Sequence, residues 1–176
     1  QIYFKNYKKS INANKHINEQ IEIAKNEIAY LSTILSQIEF VNTVEMLDIK
    51  AELISNGYLK DNKKILKSKQ NSVKSITKYL INGSEFYVGK NNIQNDYLSL
   101  KFANKNHYWF HAKDIPGSHV ILTTNSPSDR DLEEAAIIAA FYSKGKESSK
   151  VSVDYTLVKN LKKPAQSKPG MVIYHT

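Results

Sequence analysis

The chain has 176 residues, 41% of them hydrophobic, enough for one globular domain with a core and something in addition. Its 25 Lys and Arg outnumber 17 Asp and Glu, and the net charge of +8 favours polyanionic partners such as nucleic acid, although lysines kept only for solubility would give the same count. The absence of cysteine excludes disulfides, thiolate catalysis and Cys-ligated zinc, and no apolar run approaches the ~18 residues that span a bilayer, so membrane insertion is not expected.

The chain starts without methionine and inside a helical pattern, so it reads as a fragment of a longer protein. From Ile17 the apolar positions run Ile21, Ala24, Ile28, Leu31, Leu35 and Ile38. That 4-3 alternation is the seam of a coiled coil. Asn42 and Glu45 have capping-box spacing, Val44, Leu47, Ala51 and Ile54 continue an apolar stripe, and Gly57 suits a helix stop. Residues 1–59 are therefore expected to form part of a coiled-coil arm, with the short second helix folding back on the first. The uncovered seam calls for upstream sequence or self-association through the coil. Residues 60–78 carry 7 lysines against one aspartate and read as a basic linker.

From 79 to 176 the pattern changes. "EFYVG" (85–89) predicts a strand and "NDYLSLKFA" (95–103) a short helix capped by Asn95. "YWFHA" and "SHVILTT" predict strands on either side of Pro116-Gly117, a pair suited to a type II turn. "SDRDLEEAAIIAAFYSKGK" predicts a helix with acids in its first turn and Lys144 and Gly145 at its end. "VSVDYTL" and "GMVIYHT" close the chain as strands around a loop holding Lys159, Lys162, Lys163 and Lys168. The fold class expected is α+β: a helical coiled-coil arm, then a compact mixed α/β domain with one central sheet.

The stretch "HYWFHAKDIPGSHVIL" (107–122) concentrates functional side chains. A two-residue turn at Pro116 and Gly117 sets Asp114 opposite His119 and gathers Trp109, His111 and Lys113 on the other face. Asp114, Pro116, Gly117 and Ser118 would then shape the turn, with Asp114 orienting His119. His111, Asp114 and His119 have the types of a three-ligand metal site, but this register splits them across the sheet. Ser118 beside His119 lacks the Gly-x-Ser-x-Gly elbow. No catalytic residue, metal or cofactor is expected, and hence no enzyme. Trp109 suits a core, or, beside Lys113, a platform for an unstacked base. Lys90, Asn91 and Asn92, ahead of a helix starting at Asn95 and Asp96, suit either a phosphate at a helix N-terminus or an ordinary Asn-rich loop.

Together, "VGKNNIQNDYLSLKFANKNHYWFHAKDIPGSHVIL", "DLEEAAIIAAFYSKGK" and "KPGMVIY" resemble the C-terminal NFACT-R domain of the NFACT proteins. "YFKNYKK", "EIAYLSTIL" and "IKAELISNGYLK" resemble the coiled-coil arm that precedes it. Lys90 stands where the family often has arginine, which keeps the charge but not the bidentate fork. The resemblance implies an RNA-binding module of a cytoplasmic, ribosome-associated quality-control factor. Such factors hold obstructed large ribosomal subunits and deliver tRNA for untemplated, mostly alanine, tailing of stalled peptides. The candidate RNA-binding residues are Lys90, Asn91, Asn92, Asn95, Asp96, Trp109, His111, Lys113, His119 and Arg130. Streptococcal members described as fibronectin-binding imply an alternative role as a surface adhesin for fibronectin or fibrinogen, at the cell surface without a signal peptide. The N-terminal lobe of the family and the residues beyond "VIYHT" are not in this sequence.

Overall fold

A computed structural model describes residues 1–60, 76–165 and 167–174. It divides into two compact units, Gln1–Ser32 and Thr33–Thr176.

The first unit is helical from its second residue: it is most of α1, which runs from Ile2 to Ile38. Its seam residues Ile17, Ile21 and Ile28 are exposed. Local pairs such as Glu22 with Lys25, three residues apart at 2.8 Å, decorate the surface and are worth only tenths of a kcal/mol.

In the second unit the end of α1 turns a different stripe inward from the one its spacing predicts. Ile34 and Gln37 are buried, whereas Leu35 and Ile38 of the 4-3 seam are exposed. Helix α2 spans Thr43–Ser55, and its capping box forms as expected: the Asn42 side chain accepts from the N–H groups of Val44 and Glu45, and Glu45 accepts from the Asn42 N–H at 2.9 Å. Its inward face is again not the apolar stripe. Val44 and Leu47 are exposed, and Glu45, Asp48, Ile49 and Glu52 are buried. A helix buries such acids only where polar partners await them, and for Glu52 and Glu45 these are Asn92 and Lys90 respectively.

The sheet has five strands: β1 (Thr77–Ile81), β2 (Ser84–Val88), β3 (Tyr108–Ala112), β4 (Val120–Leu122) and β5 (Val153–Leu157). They lie in the order β1-β2-β4-β3-β5, antiparallel at every pairing. The linker predicted for 60–78 overlaps β1, and residues 61–75 lie outside the described ones. The β1–β2 hairpin turns on Asn82-Gly83, both with positive φ (51° and 88°), as a two-residue type I′ turn requires. Among the described residues, the closing segment "GMVIYHT" contributes a single bridge, Lys162 with Ile173, rather than a strand.

One face of the sheet, Phe86, Val88, Phe110, Val120 and Leu122, packs under α4 (Asp129–Phe141), whose Ala135 and Ala139 let the helix lie close. Ser128 caps α4 through a box with Asp131. On the other face Trp109 and Ile121 join Leu98 and Val158. Helix α3 (Asn92–Tyr97) is capped by Asn91, four residues earlier than the predicted Asn95 cap, and it runs on into a π-turn at Leu98–Phe102.

Candidate nucleic-acid interface

The register of β3 and β4 decides which side chains meet. Tyr108 faces Leu122, Trp109 faces Ile121 and Phe110 faces Val120. Continued by one step, this sets His111 opposite His119, three residues out of step with the register of a tight Pro-Gly turn. Residues 113–119 make a wider loop instead, because Gly117 leaves its own hairpin to bridge Ser143 just beyond α4. The Ser118 N–H donates to the Tyr142 carbonyl at 2.9 Å, and the Lys144 N–H donates to that of Pro116 at 2.9 Å. A side chain on Gly117 would press on Ser143 Cβ at 3.2 Å. The positive φ of the loop falls on Asp114 (55°), not on Gly117.

The expected Asp114–His119 pair is therefore replaced, and the histidines are not split across the sheet. His111 and His119 share the face of Trp109, edge to face at 5.5 Å. His119 is buried: Nδ1 lies 2.7 Å from Ser99 Oγ, and its N–H donates to Asn95 Oδ1 at 3.0 Å. Burial, joined by the charge of neighbouring His111, holds its pKa well below the ordinary histidine value against backbone hydrogen bonds at Asn95 and Gly170. Ser99 and His119 are hydrogen-bonded in the manner of a nucleophile and its base. Both are sealed from solvent, so this pair locks the π-turn to β4.

Trp109, 0% exposed, cannot receive a base itself, a correction to its candidacy as a platform. It supports a ring that is less deeply buried. His111 stacks on it nearly parallel, 11° between planes and 5.6 Å between centroids, and keeps part of its surface open. Tyr174 packs on the tryptophan at 4.7 Å and donates its hydroxyl to Asp154 at 2.9 Å. Burial and then that carboxylate raise the Tyr174 pKa to about 12. Asp154, opposite His111 across β3 and β5, also approaches the Lys113 ammonium at 3.9 Å. Burial lowers the His111 pKa, partly offset by a Gly117 backbone hydrogen bond and by Asp154.

The asparagine run belongs to the frame. Asn91, Asn92 and Asn95 are at most 1% exposed. Asn91 caps α3 by accepting from the Gln94 N–H at 2.8 Å, and Gln94 in return accepts from the Lys90 N–H at 2.8 Å. Asn92 accepts from Gln37 Nε2 at 2.8 Å and donates to Glu52 Oε1 at 3.1 Å, tying α1 and α2 to the sheet domain. Gly89 and Gly170 are spaces kept for these amides: a Cβ would meet Asn95 Oδ1 at 2.3 Å and Asn92 Oδ1 at 2.5 Å respectively. Lys90 faces Glu45 at 4.0 Å. Asp96 accepts from the Gly170 N–H at 2.9 Å and pairs with Lys163. Arg130 is exposed but sits in the first turn of α4, whereas the loop of Lys113 meets the residues just after its last turn. The helix separates them by roughly 18 Å at 1.5 Å per residue. Of the ten candidates the structure brings His111 and Lys113 together at the surface, with Trp109 and His119 beneath.

Sequence reasoning passed over Asp154 and Tyr174, which complete this cluster from β5 and the C-terminal segment. No spacing links them to β3; strand pairing brings in Asp154, and packing on Trp109 brings in Tyr174. Among the described residues there is no group of three His, Asp or Glu able to hold a metal ion, and no helix is long and apolar enough to cross a membrane.

Comparison with known proteins fits this layout. Residues 1–72 match the model of the NFACT N-terminal and middle domains, and residues 74–176 match that of the NFACT protein RNA binding domain. Over 99% of its length the chain is 39% identical to the Rqc2 homolog RqcH of Bacillus subtilis and 42% identical to that of Streptococcus suis, covering 31% and 32% of those proteins. It spans about a third of the length of the curated relatives it matches. Among solved structures, the C-terminal part of the fibronectin/fibrinogen-binding protein from Streptococcus suis covers the whole chain at a TM-score of 0.90 and 42% identity, with 72% of that chain matched. The chain therefore belongs to the NFACT family, and residues 74–176 are its RNA-binding domain.

Proposed function

We propose that this chain is the RNA-contacting part of a ribosome-associated quality-control factor, acting in the cytoplasm on obstructed large ribosomal subunits and their tRNA to support untemplated alanine tailing of stalled peptides. The observation that carries the reading is the His111 ring. It is half-buried and stacked on a sealed tryptophan, and it faces across the sheet the same Asp154 that the Lys113 ammonium approaches, an arrangement that would let an unpaired base stack while its phosphate meets a positive charge. The similarity to the RqcH proteins supports the ribosomal setting. The part does no chemistry of its own, and peptidyl transfer belongs to the ribosome.

Titration with tRNA and with a single-stranded RNA tests this. His111→Ala should weaken binding roughly 5- to 150-fold, as loss of one stacked base of about 1–3 kcal/mol implies. Wild-type affinity in His111→Ala, or no binding by the unaltered chain at low salt, would sink it. The solved relative named for fibronectin and fibrinogen favours a second reading, adhesion to such a protein. Saturable fibronectin binding that survives 0.5 M salt would support it over simple charge attraction, which about 0.5 M salt screens.

A further inference from the structure

Resting on the RNA-binding reading, we infer that a second, phosphate-holding subsite lies beside the His111 ring: a cleft of about 520 Å³ in which Lys113, Lys144 and Lys150 converge to take the sugar-phosphate backbone leading away from the stacked base.

Three segments far apart in sequence build it. Lys113 follows β3, Lys144 follows α4 and Lys150 precedes β5. Their backbones are pinned to one another: the Lys113 N–H donates to the Ser152 carbonyl at 2.8 Å, and the Lys144 N–H donates to that of Pro116 at 2.9 Å. Gly145 lets the walls close, since a Cβ there would lie 2.9 Å from both Ile115 Cδ1 and Val151 Cγ2. The cleft collects three cations against one lining carboxylate, Asp114. Lys144 and Lys150 are exposed and make no ion pair among the described residues, and Lys113 has only Asp154 at 3.9 Å. Like charges gathered by the fold repel one another, and a phosphodiester relieves that repulsion. Asp154 links the subsites, reaching Lys113 on one side and Tyr174 on the other. An RNA strand is the occupant favoured over an acidic peptide, because the cations adjoin an aromatic platform within the domain matched to RNA binding.

The test is the salt dependence of binding of a 20-nucleotide single-stranded RNA to the full 176-residue chain. In Lys144→Gln/Lys150→Gln the slope of log affinity against log salt should fall by about 1.4, from about 0.7 per single-strand phosphate contact. The loss is then about 25-fold at 0.1 M salt and vanishes near 1 M. Lys101→Gln/Lys105→Gln, exposed lysines at the opposite end of β3 from Lys113, should change the slope by less than about 0.5. An abasic ribose-phosphate oligomer should remain sensitive to the cleft pair and indifferent to His111→Ala. A cleft pair that keeps the wild-type slope, or a control pair that loses as much, overturns the subsite. His111→Ala without effect on normal RNA overturns the stacking platform alone, so the two failures are distinguishable.

Discussion

At the scale of single residues, the recurring device is a polar side chain buried between matching partners. His119 between Ser99 and the backbone of Gly170, and Asn92 between Gln37 and Glu52, are both of this kind. Removing one partner strands the other out of water, at a cost of about 1–3 kcal/mol. His119 also carries a pH signature. Its pKa in the folded chain lies well below the ordinary histidine value of about 6.5, and that of His111 is lowered too, both chiefly by burial. Above about pH 6.5 neither state of the chain binds the proton, so the contribution of a neutral histidine to stability is whole. As pH falls below that value the unfolded chain takes up protons that the folded one refuses, and stability declines until the folded pKa is reached. The melting temperature should therefore drop between pH 7.5 and 5.5, above the range where carboxylates titrate. His119→Asn should lower stability at pH 7.5 yet flatten that drop. An equally steep drop in the variant would show that His119 does not carry the proton linkage.

At the scale of elements, legibility followed periodicity and stopped where burial was polar. "YWFHA" is β3 to the residue, the Asn42–Glu45 box caps α2, and α4 starts in its acidic turn, because each rests on local chemistry within a few residues. The Asn-Gly turn of β1 and β2 was equally local and lay hidden behind a lysine count that extended the linker to residue 78. The β3–β4 register could not be read locally, since Gly117 leaves the hairpin for a partner beyond α4. Apolar spacing likewise identified α1 and α2 as helices but chose the wrong buried face. Gln37, Glu45 and Glu52 go inward because Asn92 and Lys90 meet them, and a hydropathy pattern assigns such positions to solvent. Two adjacent residues of α1 separate the alternatives. Ile34 is buried and Leu35 is 68% exposed. Ile34→Ala should cost about 2–5 kcal/mol, a fall in melting temperature of roughly 5–15 °C for a chain of this length. Leu35→Lys should stay within about 0.5 kcal/mol of the wild type, since leucine and lysine have similar helix propensities. Thermal melts followed by circular dichroism read both; the reverse ranking would return the 4-3 seam to the interior.

At the scale of the whole molecule, the two units draw their order from different sources. The second has two apolar clusters, one on each face of the sheet, and a web of buried amides. The first is one stretch of helix whose apolar seam is exposed, so within this chain it relies on helix propensity and side-chain pairs a turn apart, which alone make a helix of this length marginal. Deleting residues 1–28 should therefore separate helix content from cooperative stability. It removes 27 of the 37 residues of α1, and the far-UV helical signal should fall by roughly two fifths, while the thermal transition of the remainder moves by less than about 2 °C, well under the shift of one core mutation. The deletion takes Lys5, Lys8, Lys9, Lys15 and Lys25 together with Glu19, Glu22 and Glu27, so a net +2 is lost out of +8. The remaining net +6 includes the lysine cleft of the sheet domain, and the salt slope for single-stranded RNA should change by less than one phosphate contact, about 0.7. A transition that collapses on deletion would make arm and domain one folding unit. A slope that falls by two contacts or more would move the main phosphate-binding surface onto the arm.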